Sequence, residues 1–115
     1  MVNGENKQVK KGEVYLYWIG KQEAIGTEIK KIRPAVIVST NNLNKWNYRF
    51  IVIPITKRTK HFLDFEVPVI VNGKEGLAML DQIKTVDNSR LIKKLGQLTR
   101  NEMLSIREKI DIIFD

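Results

Sequence analysis

Residues 33–56 read RPAVIVSTNNLNKWNYRFIVIPIT, and this stretch decides the fold. Two apolar runs, PAVIVST at 34–40 and FIVIPIT at 50–56, flank the turn-rich segment NNLNKWNYR at 41–49. Both runs are too short for an amphipathic helix and rich in β-branched residues, so they read as strands. The first is apolar throughout, which predicts burial on both faces. Pro34 stands at its start, where no ladder N–H is needed, whereas Pro54 inside the second run predicts an edge or a bulge.

Working outward, EVYLYWI at 13–19 is a further strand stopped by Gly20, and it places Trp18 in the core. Residues 20–32, with two glycines and mixed charge, read as a long loop. Downstream, residues 62–71 (FLDFEVPVIV) predict a strand, with Pro68 marking an edge or bulge. Asn72-Gly73 is a hairpin turn, because both residues tolerate positive φ. Residues 76–81 and 83–86 continue as strand, with a bend at Asp81-Gln82, and 88–98 read as a connector with one helical turn. Residues 99–114 are the one helix: Thr99 and Glu102 form a capping box, and Met103, Ile106, Ile110 and Ile113 make an apolar face for core packing. Five or six strands followed by a helix predict an α+β, mainly β fold: a small bent antiparallel barrel closed by a C-terminal α-helix.

The 115 residues imply one domain spanning 1–115. Absence of Cys excludes disulfides, thiolate metal sites and Cys nucleophiles, and a single histidine, His61, excludes His-pair chemistry. No apolar run approaches the ~20 residues of a membrane span, and the polar N-terminus has no signal-peptide character, so a cytoplasmic protein without membrane contact is expected. The net charge is +7, and its distribution is uneven. Residues 29–63 contain no Asp or Glu and carry +8, from Lys30, Lys31, Arg33, Lys45, Arg49, Lys57, Arg58 and Lys60, while the rest of the chain carries −1. Surfaces shaped only for solubility mix both signs, so an acid-free basic third points to a polyanion, most often nucleic acid. Trp18, Trp46, Tyr48 and Phe62 lie near these cations in sequence and could stack on unpaired bases, Trp46 in the polar segment being the better candidate since Trp18 is expected in the core.

Five segments, KKGEVYLYWIG, IGTEIKKIRPAVIVST, IVIPIT, LAMLDQIKTVDNSRL and LGQLTRNEMLSIREKI, occur in the order and spacing of the MazF/PemK toxins. The chain resembles that family from about Lys10 to its end. The resemblance implies the barrel shared by PemK and CcdB toxins, a homodimer, a cognate antitoxin partner, and metal- and cofactor-independent cleavage of single-stranded mRNA. It implies catalytic roles for Arg33 and Thr56. It matches the family's Gly-x-Glu turn to Gly26-Thr27-Glu28 and its RNA-contacting pair to Asp81-Gln82. One departure is Lys31, which stands where the family usually has Gly and bears on the placement of Glu28 and on sequence preference.

RNA can be cut without a metal because its 2′-OH is a nucleophile beside the phosphate. Arg33 supplies a planar, permanently charged fork for the phosphorane oxygens. Thr56 supplies one hydroxyl whose χ1 is restricted by its β-branch. Glu28 is the first choice of general base and Asp81 the second, with water as the remaining option; His61 falls outside the motif. Lys31, Lys57 and Arg58 would border the same groove and track the backbone, and Gln82 can read a base edge. Two other readings stay open: a non-catalytic toxin on the same barrel that inhibits DNA gyrase, and a plain RNA-binding module.

Overall fold

A computed structural model describes residues 8–20, 32–60 and 63–115. Among them are seven strands: β1 (Glu13–Trp18), β2 (Ile32–Ile37), β3 (Arg49–Thr56), β4 (Glu66–Val71), β5 (Lys74–Met79), β6 (Lys84–Asp87) and β7 (Leu91–Gln97). Two helices, the single-turn α1 (Asn41–Asn44) and the long α2 (Arg100–Ile113), complete the set with 3-10 turns at Leu80–Gln82 and Asn88–Arg90. The strands form one curled antiparallel sheet in the order β4-β5-β3-β2-β1-β7, with β6 pairing β3. The expected bent sheet with a C-terminal helix is what the chain forms.

Both faces of the sheet's centre are buried, as continuous apolar strands require. Tyr15, Tyr17, Ala35, Ile37, Phe50, Val52, Val86 and Leu91 fill the inside of the curl. Val14, Val36, Ile53 and Ile55 point to the other face and pack with Val67, Val69, Ala78, Leu80 and Ile106. The face of α2 expected to pack does so: Ile106 is buried, and Met103, Ile110 and Ile113 lie against the second core. Thr99 and Glu102 make the complete capping box. Glu102 also reaches across to accept a hydrogen bond from the Ile70 amide at 2.8 Å, on β4, the outer strand of the sheet. The Asn72-Gly73 turn has φ of 54° and 76°, as a two-residue hairpin with both central residues at positive φ requires.

Four expectations need correction. Residues 88–98 are not merely a connector: the 3-10 turn Asn88–Arg90 leads into β7, which pairs with β1, and the strand count rises to seven. The register of β1 against β7 shifts twice, between Val14 and Tyr15 and between Leu16 and Tyr17, irregularities that strengthen local twist and help the sheet curl. Pro54 lies on an interior strand, at the place where β3 changes partner from β6 (residues 49–52) to β5 (residues 55–56), so its missing N–H falls in a gap between two ladders. Pro68, by contrast, is on the edge strand β4 as expected. Strand limits also move: β2 begins at Ile32, ahead of Pro34, and β4 begins at Glu66. Trp18 is not core but 43 % exposed: it is the last residue of β1 and alternates to the face opposite buried Tyr17.

At the beginning of β1 a buried carboxylate is fully engaged. Glu13 Oε1 accepts from the Lys10 amide at 2.9 Å and the Tyr15 hydroxyl at 3.2 Å, while Oε2 takes the Lys94 ammonium at 3.0 Å. Burial, then the Glu13 charge and its hydrogen bond, push the Tyr15 hydroxyl up to about 12, so it stays a donor across the neutral range.

Candidate active site

The opposite end of β1 and the end of β3 flank the beginning of β2, which lies between them in the sheet. Tyr17 on β1 pairs with Arg33 on β2. On the other side of β2, Ala35 faces Pro54, Val36 faces Ile53 and Ile37 faces Val52. Carried two places on, the same register sets Arg33 opposite Thr56. Side chains alternate along a strand. Arg33 therefore shares the face of Ala35 and Ile37, and Thr56 the face of Phe50 and Val52, all of which line the inside of the curl. On this continued register the two candidate catalytic residues fall at neighbouring strand ends and on one face, beyond the last β2–β3 pair that forms, Ala35 with Pro54. Arg33 is exposed and Thr56 half-buried.

Two residues of this neighbourhood were not singled out by the sequence. Tyr17 is buried directly across from Arg33, and Lys84 on β6 holds its ammonium 5.9 Å from the Tyr17 ring centre. Alternation along β1 would have placed Tyr17 on the Arg33 face once the β1–β2 pairing was fixed. Lys84 is legible only through the β3–β6 register, which sets it opposite Val52.

Thr56 ends β3, and its side-chain oxygen accepts a hydrogen bond from the Arg58 amide at 3.3 Å. That leaves its hydroxyl hydrogen to donate elsewhere. Lys57 is exposed and, like Arg33, enters no ion pair among the described residues. The Arg58 guanidinium binds the buried Glu66 carboxylate at 2.5 and 3.2 Å. Hydrogen bonds from Arg58, then the Leu63 amide and the Arg58 charge, hold the Glu66 carboxyl below its ordinary range against the opposing effect of burial. Asp81 and Gln82, both exposed, sit in the 3-10 turn Leu80–Gln82, which packs against β3. Glu28, Lys30, Lys31, His61 and Phe62 lie outside the described residues.

The exposed aromatics form a separate patch. Trp46 is 75 % exposed, and the Arg49 guanidinium stacks 4.4 Å from the Tyr48 ring centre. With Leu43, Phe50, Ile51 and Thr85 they line a shallow cavity of about 340 Å³. At the Arg33 end, Arg90 lies 5.6 Å from the Trp18 ring and donates to the Ile19 carbonyl at 2.8 Å. Among the described residues no three His, Cys, Asp or Glu side chains gather into a metal-holding group, and no helix is long and apolar enough to cross a membrane.

Residues 10–114 match the family described as the PemK-like, MazF-like toxin of type II toxin–antitoxin systems. The chain is 31 % identical over 109 residues to Endoribonuclease MazF of Staphylococcus saprophyticus subsp. saprophyticus, covering 90 % of this chain and 89 % of that relative. Among solved structures, an endoribonuclease in complex with its cognate antitoxin from Mycobacterial species superposes with a TM-score of 0.73 at 23 % identity, covering 90 % of this chain and 91 % of the other. MazF from Deinococcus radiodurans superposes with a TM-score of 0.70 at 24 % identity, over 91 % and 94 % of the two chains.

Proposed function

The chain belongs to the PemK-like, MazF-like toxin family of type II toxin–antitoxin systems, and from that premise we propose that it is a single-domain, metal-independent endoribonuclease of the cytoplasm. Its substrate is single-stranded mRNA, cut at preferred sequences. It works as a homodimer and is restrained by a cognate antitoxin. The reading is supported by the β2–β3 register, which runs to Ala35 opposite Pro54 and, continued two places, sets the exposed Arg33 opposite Thr56 on one face, with Lys57 next in the chain.

In this reaction a base removes the proton of the ribose 2′-OH. The 2′-oxygen bonds to phosphorus, the bond from phosphorus to the 5′-oxygen breaks, and that oxygen leaves with a proton. The products are a 2′,3′-cyclic phosphate and a 5′-OH. Arg33 stabilises the charge that accumulates on the phosphorane, a contribution of about 3 kcal/mol for a well-placed donor. Thr56 donates its hydroxyl hydrogen to a phosphate oxygen. Glu28 is the first-choice base, ahead of Asp81 and water. Lys31, Lys57 and Arg58 border the path of the RNA backbone, and Asp81 and Gln82 contact bases from the turn beside β3.

The test is incubation of the purified protein with single-stranded RNA in EDTA, followed by mapping of the ends. Cutting with cyclic-phosphate and 5′-OH ends is expected. Cutting only after magnesium is added overturns the mechanism. RNA bound but left intact supports a plain binding module, and RNA neither bound nor cut supports a protein-directed toxin such as a gyrase inhibitor.

A further inference from the structure

We propose that Glu66, acting through Arg58, is a positioning residue that fixes the orientation of the Thr56 hydroxyl; the inference rests on the nuclease reading above and deepens it. Glu66 opens β4 and is only 3 % exposed, yet it carries a carboxylate. Both of its oxygens are engaged by the segments on either side of residues 61–62. Oε1 accepts from Arg58 Nη1 at 3.2 Å and from the Leu63 amide at 2.9 Å, and Oε2 accepts from Arg58 Nη2 at 2.5 Å. The Glu66 amide in turn donates to the Leu63 carbonyl at 2.9 Å, and Arg58 Nη1 reaches the Lys60 carbonyl at 3.5 Å. Residues 58 and 63 are thus gathered on one buried carboxylate, and the Lys60 carbonyl is reached through Arg58.

The consequence falls two residues upstream. The amide of Arg58 is the donor to Thr56 Oγ1. A Thr hydroxyl has one hydrogen and two lone pairs, so an amide fixed against one lone pair restricts where the hydrogen can point. What fixes that amide is the two-pronged anchorage of its own side chain, a geometry that only a guanidinium on a carboxylate provides. The pair is buried only on the Glu66 side, the Arg58 side chain being 42 % exposed, and such a pair adds little to stability by itself. A pair placed where its geometry passes directly to a catalytic hydroxyl has a use that apolar residues would not supply. Arg58 then serves the site mainly by position, because Glu66 balances its charge.

The decisive experiment is a double-mutant cycle on single-turnover cleavage, with enzyme in excess, comparing wild type, Glu66→Gln, Thr56→Ala and the double variant. Affinity for an RNA carrying a 2′-deoxy sugar at the cleavage position is measured in parallel. Gln keeps an acceptor for Leu63 but turns an amide group toward Arg58. Glu66→Gln is expected to lower the cleavage rate constant at least about tenfold with affinity unchanged, and to add nothing in the Thr56→Ala background. Arg58→Lys, which keeps the charge and the amide but loses the fork, is likewise expected to lower the cleavage rate constant and to add nothing in the Thr56→Ala background, and it serves as the second variant where Glu66→Gln unfolds. Losses that multiply between Glu66→Gln and Thr56→Ala, or weakened binding with an unchanged rate constant, overturn the inference while leaving the nuclease reading intact. A wild-type chain that leaves RNA uncut overturns both.

Discussion

The two ends of β1 handle charge in opposite ways. At its beginning, Glu13, Lys10, Tyr15 and Lys94 form a closed set in which the carboxylate's partners come from the chain itself. At its far end, Arg33 is exposed beside Thr56, and neither it nor Lys57 has a carboxylate partner among the described residues. A cation paired inside the fold contributes to the fold. A cation held in place without a partner keeps its field for something that arrives. On the proposed function, the contrast separates charge used by the fold from charge left for RNA more clearly than the net charge of +7 does.

That contrast breaks most sharply on Arg33→Ala. Cleavage is expected to fall by about 10²- to 10³-fold, with Tm nearly unchanged because no ion pair among the described residues is lost. A large drop in Tm would move Arg33 to the structural side. The next test compares two glycines. A Cβ on Gly76 would lie 2.6 Å from the Thr56 carbonyl oxygen and 3.0 Å from Ile55 Cγ2, whereas one on Gly96, at the Glu13 end, would meet Val71 Cγ1 at 3.5 Å. Gly76→Ala is expected to destabilise the protein by about 1–3 kcal/mol, since the backbone beside Thr56 must move, and to lower cleavage as well. Gly96→Ala is expected to do neither; thermal unfolding and a cleavage assay on both variants decide it.

The smallest expected effect is acidic. The Glu66 carboxyl is held below its ordinary value of 4.5 in the folded protein. Its contribution is therefore complete above 4.5 and is lost as pH falls through the lower folded value. Denaturant unfolding across that acid range should show a steeper loss for wild type than for Glu66→Gln. Identical slopes would remove Glu66 from the account of acid stability.

What was legible in the sequence depended on how locally each feature is determined. The Thr99–Glu102 capping box and the Asn72-Gly73 turn rest on residue types at fixed short spacing, and both form as read. The β7 strand, LIKKLGQ, was missed because its strength comes from pairing with β1, some 80 positions earlier, rather than from its own polar, Gly-containing sequence. Residue type puts Trp18 in the core, whereas its place at the end of β1, on the face opposite Tyr17, leaves it exposed. Pro54 marked an interruption correctly, but only the three-strand arrangement shows that the interruption lies at the sheet's centre. In the site, Arg33 and Thr56 came from family resemblance, and only the β2–β3 register, continued past Ala35 and Pro54, sets them opposite each other. Glu66 carried no signal at all, because one Glu among ordinary strand residues looks solvated until its burial is known.

Glu102 has an effect at the molecule's border. Its Oε1 caps α2 while its Oε2 occupies the Ile70 amide of β4. An unpaired strand amide is a docking point for a stray strand from another molecule, the first step of edge-to-edge aggregation. By covering that donor with a negative charge, the helix that completes the fold also blunts the β4 edge of the sheet against a stray strand.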